Sequence, residues 1–75
     1  MKNFERLRAV MATILLVPES DVTPESARDE LEAWDSVQHL NLMLALEDEF
    51  GLQLDVDALQ SLTSVAKILE YLDAR

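Results

Sequence analysis

At 75 residues, with 49% hydrophobic residues and no cysteine, the chain suffices for one small domain and lacks both disulfides and thiolate metal sites. Its net charge of −9 is uneven: every excess acid lies in residues 29–66, which hold no Lys or Arg, while the flanks are neutral. That pattern excludes nucleic acid and anionic membrane as partners, since both need basic patches, and suits basic protein surfaces.

One Gly and two Pro in the whole chain favour a compact helical fold over disorder. No apolar run reaches the length of a membrane span, and Met1-Lys2-Asn3 opens no secretory signal. A single cytoplasmic domain over residues 1–75, monomeric, is the expectation. Asn3 is the expected cap of a first helix, with Phe4, Leu7, Val10, Met11, Ile14 and Leu15 on one stripe at helical spacing. That helix should end near Val17, because Pro18 disfavours helical geometry in its predecessor.

Residues 18–34 keep no period. Thr23-Pro24-Glu25 reads as a short helical turn with Thr as cap and Pro in first position, and Val22 and Leu31 as the pins of this connection to the core. Connections this long in a small domain tend to be functional or mobile.

The connection leads to Asp35, the expected cap of a second helix from Ser36 to about Phe50, with Gln38 where a capping box wants Glu or Gln. Ser36 then stands at the first helical position, among N–H groups without intrahelical partners, where partial positive charge suits a phosphate. His39, Leu42, Met43, Leu46 and Phe50 form a core stripe. Val37, Leu40 and Leu44 form a second stripe on the side of Ser36, bordered by Glu47 and Asp48. A small domain has no room to bury both, so the second stripe reads as a contact surface.

Gly51 supplies the left-handed residue that ends this helix. Leu52 and Leu54 alternate with polar residues, a short helix follows near Asp57–Ser61 with Leu59 and Leu62 inward, and Thr63 is the expected cap of a last helix with Val65, Ile68, Leu69 and Leu72 on one stripe. The outline is all-α: three longer helices and one short third helix.

Two further constellations are weaker. Asp35, Ser36 and His39 share one helical turn without a nucleophile elbow or oxyanion donor, which argues against a hydrolase. The acids at Glu47-Asp48-Glu49 and Asp55/Asp57 lack the glycine and spacing of a calcium loop and read as a solvated face. His39, the only histidine, reads as packed, against Trp34 across the helix start.

Over essentially its whole length the chain resembles the acyl carrier proteins. The resemblance rests on Asp35-Ser36-Val37 for the family's Asp-Ser-Leu, and on Leu46-Glu47-Asp48-Glu49-Phe50 closing the second helix. It rests also on the short third helix after Leu54, and on Thr63-Ser64-Val65 opening the last helix with Tyr71 near its end. It implies a four-helix bundle that is a carrier and not an enzyme. Ser36 would receive 4′-phosphopantetheine from coenzyme A through a phosphopantetheinyl transferase, and acyl groups would ride as thioesters on the arm's thiol.

Partners implied are that transferase and acyl-loading, condensing or tailoring enzymes with basic docking surfaces, meeting Val37, Leu40, Leu44, Glu47 and Asp48. Ala33 and Trp34 stand where the family places Gly and a small residue, and Gln38 and Asn41 where fatty-acid-synthesis carriers are often acidic. Those departures point to a specialised free-standing carrier for polyketide, lipid or modified acyl products. The alternative is an unmodified helical interaction module that docks a partner through Val37, Leu40 and Leu44.

Overall fold

The structure is a computed structural model that describes residues 2–74. Four α-helices follow one another: α1 (Lys2–Leu15), α2 (Ser36–Phe50), α3 (Val56–Ser61) and α4 (Val65–Asp73). A 3₁₀ turn at Glu19–Asp21 interrupts the first connection, and among the described residues there is no strand, only an isolated antiparallel bridge between Ala27 and Ser64. This is the expected bundle of three longer helices and a short third one. No described helix is long and apolar enough to cross a membrane.

The apolar stripes meet in one core. Leu7, Met11 and Leu15 of α1 face Leu42, Met43 and Leu46 of α2, with Val65 and Ile68 of α4 closing the cluster. Phe4, Val10, Ile14, Phe50, Leu69 and Leu72 pack around it half-buried. Val22 and Trp34 are fully enclosed, so both ends of the long connection are fastened to the core, while Leu31 packs on it half-buried. Leu52, Ala58 and Leu62 bury the chain on either side of α3, whereas Leu59 is only half-buried.

Four expectations about helix ends are corrected. Asn3 lies inside α1 and does not cap it; its side-chain amide donates to Asp73 Oδ1 of α4 at 2.9 Å, tying the first helix to the last. α1 ends at Leu15 and not near Val17, because Leu16 turns left-handed (φ 58°) and the Val17 N–H reaches back to the Ala12 carbonyl at 3.2 Å, a Schellman-type end. Ser64, not Thr63, caps α4, its Oγ accepting the Lys67 N–H at 3.1 Å. Thr23-Pro24-Glu25 makes a hydrogen-bonded turn, Ser26 N–H to Thr23 O at 3.0 Å, and no helix; the 3₁₀ turn lies earlier.

The bridge explains the choice of Ser64. Arg28 N–H donates to Thr63 O and Val65 N–H to Ser26 O, each at 2.9 Å, so Thr63 is engaged with the connection before α4 starts. α3 begins one residue earlier than expected, at Val56, because Asp55 caps it: Asp55 Oδ1 accepts the Ala58 N–H at 2.7 Å. The segment 16–35 is therefore irregular but fixed, and it delivers the chain to α2 from a defined direction.

Candidate functional site

The N-terminus of α2 is built by its cap. Asp35 is extended (φ −94°, ψ −173°), its Oδ1 accepts the Gln38 N–H at 2.9 Å, and its carbonyl accepts the His39 N–H at 2.8 Å. The reciprocal half of a capping box is not made: Gln38 Oε1 accepts from Asn41 Nδ2 at 2.9 Å and does not turn back to Asp35. Ser36 follows as the first helical residue, exposed, with its own N–H and that of Val37 at positions that lack an intrahelical acceptor.

The other side of this helix start is locked inward. Trp34 Nε1–H donates to His39 Nδ1 at 3.0 Å, the two rings lie nearly parallel, and His39 Nε2 donates to the Leu59 carbonyl at 2.6 Å. An indole only donates and a carbonyl only accepts, so the imidazole is held as the neutral tautomer with its proton on Nε2. This is the expected Trp34–His39 packing, with a link to α3 added. Both ring nitrogens are spent, so His39 has no lone pair for the Ser36 hydroxyl, and Asp35, Ser36 and His39 form no triad.

Ser36 instead meets a residue that sequence reasoning passed over. Arg28 Nη2 donates to Ser36 Oγ at 2.7 Å. Beside this pair opens a groove of about 410 Å³ between α2 and α3, lined by Arg28, Ser36, His39, Leu40, Val56, Leu59 and Gln60. Val56 is two-thirds exposed and adds apolar surface to the rim; neither it nor Gln60 was marked by the periodicity of so short a helix.

The second stripe of α2 is open to solvent as expected: Val37, Leu40 and Leu44 are 68%, 59% and 64% exposed, on the side that carries Ser36. The two acids beside it differ. Glu47 is half-buried and its Oε2 accepts the Leu54 N–H at 2.8 Å, so it braces the connection into α3. Asp48 is exposed, and its carboxylate takes part in no hydrogen bond or ion pair among the described residues. Among the described residues no group of acids and histidines converges as a metal site.

What this end of the molecule offers is an accessible hydroxyl, unpaired backbone N–H groups at a positive helix end, and a guanidinium. Those groups suit a phosphate ester. Comparison with known proteins agrees. Residues 5–72 match the family described as "Phosphopantetheine attachment site". The chain is 34% identical over 68 residues to the acyl carrier protein of Rubrobacter xylanophilus, an alignment that covers 89% of this chain and 83% of that protein. Such proteins are carriers and not catalysts, and their prosthetic group is covalently attached 4′-phosphopantetheine. With the helical bundle in place and the match running nearly end to end, the chain belongs to the acyl carrier protein family of phosphopantetheine-bearing carriers.

Proposed function

We propose that Ser36 is the attachment residue, and that the protein holds acyl intermediates as thioesters and presents them to fatty-acid, polyketide or related biosynthetic enzymes. The observation that carries this reading is the exposed Ser36 hydroxyl at the start of a helix whose cap, Asp35, makes the N-terminal hydrogen bond itself. Because the cap is the neighbouring residue, the Ser36 oxygen is free to lose its proton and bond to the pantetheine-side phosphorus of coenzyme A, whose pyrophosphate bond breaks to release adenosine 3′,5′-bisphosphate, without unmaking the helix end. The prosthetic group supplies the thiol, which a chain without cysteine cannot.

The exposed stripe of Val37, Leu40 and Leu44 is the docking surface for the phosphopantetheinyl transferase and for acyl-handling enzymes, with Asp48 as its free acid. Apolar anchors supply affinity, and a peripheral charge steers approach. Glu47, named with Asp48 as a partner contact, acts chiefly through the Leu54 N–H. Gln38 and Asn41 are hydrogen-bonded to each other on this helix, so its front half is neutral. A neutral front half supports a specialised carrier over one fitted to a basic clamp along the whole helix.

Incubation with coenzyme A and a broad-specificity phosphopantetheinyl transferase, followed by intact mass, tests the site. The wild type should gain one phosphopantetheine and Ser36→Ala none, with the helical circular dichroism of both unchanged. Loading of Ser36→Ala would move the site elsewhere. A wild type that is never loaded would leave the unmodified interaction module as the better reading.

A further inference from the structure

We propose that Arg28 is the phosphate-positioning residue of this carrier: the guanidinium that holds the Ser36 hydroxyl in the unmodified protein pairs with the phosphodiester once the arm is attached. The inference rests on Ser36 as the attachment residue and goes beyond it. Its starting point is the 2.7 Å hydrogen bond from Arg28 Nη2 to Ser36 Oγ.

The partner choice of this arginine sets it apart from the other two described arginines. There are fifteen Asp and Glu to six Lys and Arg, and Arg6 and Arg8 each meet a carboxylate, Glu49 and Glu19. Among the described residues Arg28 pairs with no carboxylate, and its side-chain bond goes to a neutral hydroxyl. A cation in an acid-rich surface that faces a hydroxyl is aimed at a place where an anion will form.

Its aim is fixed from behind. The Arg28 N–H donates to Thr63 O and the Val65 N–H to Ser26 O, each at 2.9 Å, while the buried Ser26 Oγ accepts the Thr23 N–H at 2.9 Å. The backbone at Arg28 is thus clamped to the start of α4, and the side chain projects from a fixed base to the start of α2.

Electrostatics gives the pairing its purpose. From Asp29 to Ala66 the chain has no Lys or Arg, and a phosphodiester on Ser36 adds negative charge next to the Asp35 carboxylate. The helix end offsets part of that repulsion. Arg28, the last cation before the acidic stretch, already touches the Ser36 hydroxyl, and its planar fork matches phosphate oxygens better than a point charge would.

The test compares apo and loaded forms of the wild type, Arg28→Ala, Arg28→Lys and a charge control, Lys67→Ala. Intact mass comes first: if the wild type does not load on Ser36, the attachment reading fails, whatever Arg28 does. In loaded protein, the phosphodiester ³¹P resonance should move in Arg28→Ala, move less in Arg28→Lys, and stay put in Lys67→Ala. The melting temperature of loaded Arg28→Ala should fall about 4 °C further below wild type than that of its apo form. That difference should shrink between about 0.01 M and 1 M salt. The wild type alone gives an independent reading, because the Arg28 side-chain N–H resonance, assigned by its loss in Arg28→Lys, should shift on loading. An unmoved Arg28 resonance, or an unchanged ³¹P position with equal melting losses in both forms, would show that Arg28 only braces the loop.

Discussion

The Trp34–His39–Leu59 chain of hydrogen bonds lends itself to a double-mutant cycle. Trp34 is 1% and His39 6% exposed, so water cannot replace a lost partner without opening the core. In His39→Leu the Trp34 Nε1–H and the Leu59 carbonyl both lose their partner. A buried polar group left unpaired costs about 1–3 kcal/mol; the indole bears that in full and the carbonyl of half-buried Leu59 less, so this variant should lose at least about 1–3 kcal/mol. Trp34→Phe leaves His39 Nδ1 unpaired, about 1–3 kcal/mol, plus a smaller packing loss. In the double variant neither the indole N–H nor Nδ1 exists, and only the Leu59 carbonyl remains unpaired.

The double variant should therefore be more stable than the sum of the singles by about 2–6 kcal/mol, since two unpaired groups, the indole N–H and Nδ1, vanish together. Urea denaturation followed by far-ultraviolet circular dichroism measures all four corners, the tryptophan being absent from two of them. Hydrogen exchange adds a local reading: α3 has six residues, too few to be stable alone, and it hangs on α2 through the His39–Leu59 bond. Its amides should exchange faster in His39→Leu than those of α4. Additivity within about 0.5 kcal/mol would show that the indole–imidazole bond contributes nothing, and would refute the tautomer assignment built on it.

Leu46→Ala should cost about 2–5 kcal/mol in a chemical melt, while Leu44→Ala, at 64% exposure against 2% for Leu46, should stay within about 0.5 kcal/mol; equal losses would dissolve the two-stripe description of α2. Leu16 is left-handed and 84% exposed, so Leu16→Gly relieves a backbone penalty without emptying the core and should raise the melting temperature by a few degrees; a lower one would mean that Leu16 packs usefully. Added salt should raise the melting temperature by screening the uncompensated carboxylates, and a curve indifferent to salt would place them too far apart to repel.

Much of this architecture is legible because its signals are local. Asp35 before an apolar period and Gly51 after it bound α2 correctly, since a cap and a left-handed stop act within a few residues. The exposed stripe followed from counting two apolar faces on one helix in a domain able to bury one. The misses lie where distant parts of the chain decide. Thr63 and Ser64 are both good caps, and the bridge to Ser26 and Arg28 chose between them. Asn3 is a good cap whose amide a residue 70 positions away claims instead. Arg28 is joined to Ser36 across eight residues of irregular chain that no periodicity links, although its place as the last cation before the acidic stretch was a usable hint.

The same contacts anchor α2, the helix that begins at Ser36, at both ends. At its N-terminus α2 is held by the Asp35 cap, by Trp34 against His39, and by His39 against α3. At its C-terminus Gly51 takes the left-handed turn, Glu47 accepts the Leu54 N–H, and Arg6 both donates to the Glu49 carbonyl at 2.7 Å and lies 4.4 Å from the centre of the Phe50 ring. Apart from the Glu47–Leu54 bond, which borders it, these contacts fall off the stripe of Val37, Leu40 and Leu44. A face held rigid from behind loses little conformational entropy when a partner covers it, so a modest apolar patch suffices for brief, repeated docking. On the proposed carrier function such short-lived contacts suit visits to more than one enzyme, and α2 keeps most of its fastening away from the exposed serine.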